Sequence, residues 1–261
     1  MITYKDYKEI QVKIDGATAT LTLNRPEKRN ALSLDLMAET IDFLKHLAHA
    51  EEIRVLVLRG HGPAFSAGHD LAELSEGNLQ DYRTVFTTCM KMMLLLHKIP
   101  QPVIARVHGI ATAAGCQLVA ACDLAIAAAD ARFGTPGVKI GFFCTTPMVP
   151  LSRAIGRKKA LEMLFTGEFI SAQEALQFGL VNRVVPAQEL DSAVKKLADH
   201  ISQFSRTVIG IGKEAFYRQI EMAERLAYAY ATEVIAANGV MPVAREGIAA
   251  FLEKRTPVWP E

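Results

Sequence analysis

Four short stretches carry residue types and spacings suited to chemistry at a carbonyl group. They are Asn24-Arg25-Pro26-Glu27-Lys28-Arg29-Asn30-Ala31-Leu32, Ala64-Phe65-Ser66-Ala67-Gly68-His69-Asp70-Leu71, His108-Gly109-Ile110-Ala111-Thr112-Ala113-Ala114-Gly115-Cys116 and Phe251-Leu252-Glu253-Lys254-Arg255-Thr256-Pro257. The second and third read as one device used twice. Each follows an apolar run, uses Gly and Ala so that backbone can approach a ligand, and leads into a helix. Unpaired N–H groups at a helix start favour developing negative charge. Two such starts converging on one point would form an oxyanion hole, which a thioester carbonyl needs on becoming an enolate or a tetrahedral adduct. Taken singly, each stretch is only a tight turn. Arg25, Lys28, Arg29 and the Lys254–Arg255 pair are, singly, only solvated charge.

The elements that must position these stretches are legible around them. Two β-rich runs from Val12 to Leu23 flank Asp15-Gly16, a dipeptide suited to a tight hairpin, and Thr18, Thr20 and Thr22 alternate with Ala19, Leu21 and Leu23. Ser33 suits the N-cap of a helix to about Ala50. Buried strands are expected at Ile53–Leu58, Pro102–Val107, Asp123–Ala127 and Val181–Val185, and Gly109 is expected to turn directly into a helix. Helices are expected before Pro100 and around Pro147–Ile155, Arg157–Phe165 and Ser171–Phe178. From Ala187 the strand signals fade, leaving helices at Leu190–Phe204, Arg206–Glu221, Met222–Asn238 and Pro242–Lys254. Alternating strands and helices followed by helices alone predict an α/β protein with a helical end.

Bulk properties narrow the classes. Lys plus Arg number 29 against 28 Asp plus Glu, so no basic excess points to nucleic acid. Cys89, Cys116, Cys122 and Cys144 sit in apolar stretches without a C-x-x-C, which predicts buried reduced thiols and no metal site. The opening MITYKDYKEI lacks the apolar core of a signal peptide, and no run of about 18 apolar residues occurs, so a cytoplasmic protein without a membrane span is expected. Gly210-Ile211-Gly212-Lys213 lacks the upstream Gly and the strand of a phosphate-binding loop.

In this order, the four stretches resemble the crotonase family, also called the enoyl-CoA hydratase/isomerase superfamily. The blocks N-R-P-x-x-R-N-A-L, A-F-S-A-G-x-D-L and the pair P-V-I-A…C-D-L-A-I-A carry the resemblance, which spans essentially the whole chain. It implies a crotonase-like spiral of ββα repeats over residues 1–195 holding the acyl-CoA site. It further implies a C-terminal α-helical trimerisation region over 196–261, giving a homotrimer or a dimer of trimers. The implied ligand is an acyl-CoA or enoyl-CoA thioester, with no cofactor beyond the coenzyme A that the substrate carries. On the family pattern the oxyanion donors are the backbone N–H groups of His69 and Ala114. Lys28 and Arg29 fall at the coenzyme A arm, and Ser66, Ala67, Gly68, Asp70 and Leu71 border the adenine and thioester region. Phe251 and Lys254 approach the nucleotide from an adjacent subunit. The run from Thr135 to Pro147 and the ending Lys254–Trp259 resemble one subgroup in particular, mitochondrial in animals and with bacterial relatives.

The chain departs from the family where protons are moved. The hydratases' two glutamates correspond to Gln117 and Gly137. A glutamine cannot accept a proton at neutral pH, though its amide can position a water, and a glycine offers nothing. Each lost acid–base group removes typically about 10²–10⁴-fold. His69 is a candidate substitute, Cys116 and Cys144 lack a paired base, and Glu73 and Glu76 suit a surface helix start better. Phe142, Phe143, Met148 and Met93 suit an apolar acyl pocket. Hydration or isomerisation of a 2-enoyl-CoA is the leading expectation. Binding without conversion, decarboxylation and thioester hydrolysis stand beside it.

Overall fold

Alternation and capping set the first elements as the sequence predicts. In a computed structural model of the chain, which describes residues 6–75 and 77–260, β1 (Ile10–Asp15) and β2 (Thr18–Leu23) pair as a hairpin around Gly16. Ala19, Leu21 and Leu23 of β2 are buried and its threonines half-buried. In α1 (Leu34–Ala48), Ser33 Oγ accepts the Leu36 N–H at 3.2 Å, and Leu36, Met37, Phe43, Leu44 and Leu47 face the core. There follow β3 (Val55–Gly60), α2 (Leu79–Lys98), β4 (Val103–Val107), β5 (Ile110–Thr112), α3 (Ala114–Ala121), β6 (Leu124–Ala128) and β7 (Arg132–Gly134). Next come α4 (Met148–Ile155), α5 (Arg157–Thr166), β8 (Phe169–Ser171), α6 (Ala172–Phe178) and β9 (Arg183–Val185). The chain ends in α7 (Leu190–Ile201), α8 (Arg206–Gln219), α9 (Glu224–Gly239) and α10 (Pro242–Leu252).

The strands fall into two layers. The main sheet runs β1-β2-β3-β4-β6-β9, parallel from β2 onward, and the small sheet runs β5-β7-β8. Single bridges Leu32↔His69 and Ser66↔Ala111 extend the small sheet toward the N-terminal turns. Each pass of the chain therefore adds a long strand to one layer, a short extended piece to the other, and a helix outside. This is the crotonase-like spiral of ββα units.

Three expectations change. Gly109 does not turn straight into a helix: β5 intervenes, and a three-residue strand shows no period in the sequence. The same brevity hides β7 and β8. The strand expected at Val181–Val185 begins at Arg183, because the Leu180 and Val181 N–H groups both donate to Ala175 O and close α6 behind the left-handed Gly179.

The helical end is bound to the spiral in two ways. Leu190, Val194 and Ala198 of α7 pack with Val55, Val57, Ile104 and Ile126 on the main sheet, so the expected boundary after residue 195 falls within a helix of the core. Lys213 of α8 reaches inward: its Nζ lies 2.7 Å from Asp123 Oδ2 and donates to Leu96 O and Gln101 O at 2.6 and 2.8 Å. Asp123 also accepts from Tyr217 Oη and the Val103 N–H. Burial lowers the Lys213 pKa while Asp123 raises it.

Candidate functional site

The first stretch acts through backbone geometry at Arg29 and Asn30, whose φ values of 49° and 54° put two successive non-glycine residues in the left-handed region. The fully buried Asn30 side chain holds this bend. It donates to His61 O and Ala64 O, each at 2.8 Å, and accepts the Arg25 N–H at 3.0 Å. The bend lays residues 29–32 beside 67–70, through Ala67 N–H to Arg29 O, Leu32 N–H to Gly68 O and Asp70 N–H to Leu32 O. In such a parallel bridge the N–H of residue 69 faces away from Leu32.

The third stretch comes in from that other side. Ser66 N–H donates to Ile110 O, and Thr112 N–H to Ser66 O. Contact is so close that a Cβ at Gly115 would collide with Ser66 O. A Cβ at Gly68 would lie 3.2 Å from Ala114 N. Ala113 starts α3 at φ 50°, ψ −117°, a conformation an alanine holds at a cost of order 1–3 kcal/mol, and its N–H donates to Gly134 O at 2.8 Å. Ala114 is then the first helical residue, whose N–H has no intrahelical acceptor. Among the described residues, neither the His69 nor the Ala114 N–H has a hydrogen-bond partner. Both residues line one cavity of about 390 Å³.

The rest of that cavity is apolar. Ala67, Leu71, Leu74, Phe86, Ile140, Phe142 and Phe143 form most of its wall, with Thr112, Cys144, Thr145 and Thr146 as polar interruptions. Among the described residues its ionisable side chains are His69, Lys139 and Cys144, with no carboxylate on the wall. Burial lowers the His69 pKa to about 4, leaving a neutral imidazole at pH 7; its buried Nε2 has no partner among the described residues, and its ring meets Phe86 edge-on at 5.1 Å. Lys139 is paired with Glu168 at 2.9 Å. Burial pushes the Cys144 thiol up, and the buried Cys116 up to about 12, so neither is a ready nucleophile.

Several expected site residues stand elsewhere. Ser66 is fully buried, donating to Asn30 O at 2.8 Å, so its hydroxyl is a brace and not a ligand contact. Asp70 is taken by Arg25 at 3.0 Å and by the Ala72 N–H, and it lies off the cavity wall. Gln117 is also off the wall, its Oε1 facing Cys89 Sγ at 4.0 Å. Gly137 is on the wall, but a Cβ there would meet Phe142 O and lie 2.7 Å from Cys144 Sγ. Lys28 and Arg29 are exposed beside the second stretch. Phe251, 82% exposed, lines a separate shallow concavity with Val208, Gly247 and Trp259, and Lys254 follows it in the left-handed region. Met93 is in the core, and Met148 lies outside the wall. Glu73 accepts the Leu34 N–H at 3.0 Å, and Glu76 lies outside the described residues. Phe86 was not expected on the wall, although Tyr82, Phe86 and Cys89 follow a helical stripe that the sequence contains.

Comparison with known proteins fits this geometry. A family model described as enoyl-CoA hydratase/isomerase matches residues 13–261. The enoyl-CoA hydratase domain-containing protein 3, mitochondrial, of Mus musculus is 47% identical over 240 residues, covering 92% of this chain and 80% of the relative. Among solved structures, an enoyl-CoA hydratase of Mycobacterium smegmatis superposes with a TM-score of 0.95 at 48% identity, over 97% of this chain and 100% of that one. The human enoyl coenzyme A hydratase domain-containing protein 3 gives 0.94 at 45% identity, over 97% and 100%. The subgroup resemblance carried by residues 135–147 and 254–259 therefore holds. The expectation of a cytoplasmic protein does not: relatives of this name from mouse, human and zebrafish are designated mitochondrial.

Proposed function

The chain belongs to the enoyl-CoA hydratase/isomerase family, and on that premise we propose that it binds a 2-enoyl- or acyl-CoA thioester with the carbonyl oxygen on the His69 and Ala114 N–H groups. The single observation that carries this reading is that these two partnerless donors border one apolar cavity. Charge that develops on the thioester oxygen as an enolate forms is then met by donors already in place, and each is worth about 2.7–4 kcal/mol. The expected reaction is hydration or isomerisation of the 2-enoyl group through that enolate. With no carboxylate among the described residues of the wall, proton transfer falls to water or the neutral His69, and turnover is expected at least about 10²-fold below a site with an acid–base pair. Exposed Lys28 and Arg29 supply positive charge for the coenzyme A phosphates.

Apolar side chains left exposed on α8–α10, among them Phe216, Leu226, Ile235, Ile248 and Phe251, support a homotrimer in which Phe251 and Lys254 reach a neighbouring site. A wall whose described residues include no carboxylate also favours a second reading, in which the thioester is held without being converted.

The test pairs two measurements on the same protein. Infrared difference spectra with crotonyl-CoA should show the thioester carbonyl stretch moving to lower frequency on binding, and absorbance at the conjugated thioester band should fall slowly. A bound ligand with an unshifted carbonyl overturns the oxyanion assignment. A shifted carbonyl without any turnover, from crotonyl-CoA to dodecenoyl-CoA, selects the second reading.

A further inference from the structure

We propose that Tyr82 is the end-stop of the acyl cavity and sets the longest acyl chain the protein accepts, an inference that rests on the acyl-CoA reading above. Phe86 from α2 and Phe142 from the 136–147 segment both stand on the cavity wall. Tyr82 does not, but its ring contacts both of theirs. It stacks on Phe86 at 6.3 Å with 14° between planes and leans on Phe142 at 6.0 Å and 39°. The ring therefore joins the helix to the segment through both lining rings. Its hydroxyl donates to Leu74 O at 2.7 Å, fixing the piece of chain that carries Leu71 and Leu74, also on the wall. Three separate parts of the wall thus close on one side chain.

The donors of His69 and Ala114 fix where an acyl chain begins, and Tyr82 fixes how far it runs. Each methylene placed in an apolar cavity is worth about fourfold in affinity, from about 0.8 kcal/mol apiece. Once a chain reaches a packed aromatic seam, further methylenes gain nothing or force the rings apart. Affinity is then expected to climb with chain length and stop at a defined number of carbons. Removing the ring opens the seam between Phe86 and Phe142 and moves that stop outward.

Calorimetric titration of the full-length protein with saturated acyl-CoA thioesters, butanoyl to tetradecanoyl, tests this. The wild type should climb and then level off or fall. Tyr82→Ala should continue climbing for at least two further carbons, raising the affinity ratio of the first excluded chain to the last accepted one by about tenfold. Tyr82→Phe, which keeps the ring, should keep the wild-type stop. Tyr82→Leu removes the ring but keeps an apolar side chain on α2, and it decides the matter if Tyr82→Ala does not fold. An unchanged stop in whichever of these two variants folds, or no stop in the wild type, overturns the inference and leaves the acyl-CoA reading standing. Absence of binding by every thioester to the wild type overturns that reading and this inference with it.

Discussion

The two sides of the cavity are built on different principles. On the donor side, backbone meets backbone: Ser66 O fills the place a Gly115 Cβ would take, and Gly68 lies against Ala114 N. Its polar side chains, Asn30, Ser66 and Asp70, are consumed in holding loops together. On the opposite side, residues 136–147 present Ile140, Phe142, Phe143 and Cys144, and the backbone of Phe142 folds over Gly137 where a family glutamate would stand. On the proposed reading, polarising a carbonyl rests on peptide groups that side-chain exchange hardly touches, whereas moving protons would rest on side chains that Gln117 and Gly137 do not supply. His69 is the one residue that belongs to both, through its N–H on one side and its ring on the other.

The sharpest way to break the contrast is at the donor side. Gly115→Val would drive a side chain into Ser66 O, and a loss of about 3 kcal/mol or more in unfolding free energy is expected by urea denaturation, together with loss of the carbonyl shift. Retention of both would mean that the backbone contact is dispensable. Asn30→Ala removes the donor to buried Ala64 O and to part-buried His61 O and should cost about 1–3 kcal/mol by the same measurement.

The apolar side predicts a smaller and different outcome. Gly137→Glu should lower stability by about 1–3 kcal/mol and fail to restore hydration of crotonyl-CoA, because the Phe142 carbonyl and Cys144 Sγ occupy the space its Cβ needs. A gain of about 10²-fold in hydration would show that the segment gives way and that the two sides are not independent. His69→Gln keeps the backbone donor and should leave acyl-CoA affinity within a few-fold of wild type. Its effect is on pH: the folded imidazole titrates near 4 and an unfolded one at about 6.5. As pH falls through that window the unfolded chain takes the proton first, so stability is lost between pH 6.5 and 4 and untouched above it. Urea midpoints across the window should show that loss reduced in His69→Gln. The smallest change is expected from Arg29→Ala, a fall of several-fold in coenzyme A ester affinity that fades at high salt, since the guanidinium is exposed.

How much of this was legible beforehand depended on length and on contact. Period-two alternation in β2 and the Ser33 cap are local, and both appear as expected. β5, β7 and β8 are three residues each, too short for any period, and they exist because the small sheet pairs them across the chain. The segments carrying the donors were legible from small residues before helices, yet which side chains faced the ligand was not. α3 is buried nearly all round, from Ala114 to Val119, so its sequence does not say that Gln117 turns to Cys89. Ser66 and Asp70 are residue types that bind ligands as readily as they brace loops, and only their partners decide.

Lys213 has a consequence for anyone who would divide this chain. It caps the last turn of α2 through Leu96 O and neutralises Asp123 in the interior, so cutting before α8 would strand a carboxylate among apolar groups. Removing one partner of such a buried pair typically costs about 3–5 kcal/mol. A truncated spiral should therefore be recovered as aggregate, and α2, with the end-stop it carries, is held in register by a residue more than a hundred positions downstream.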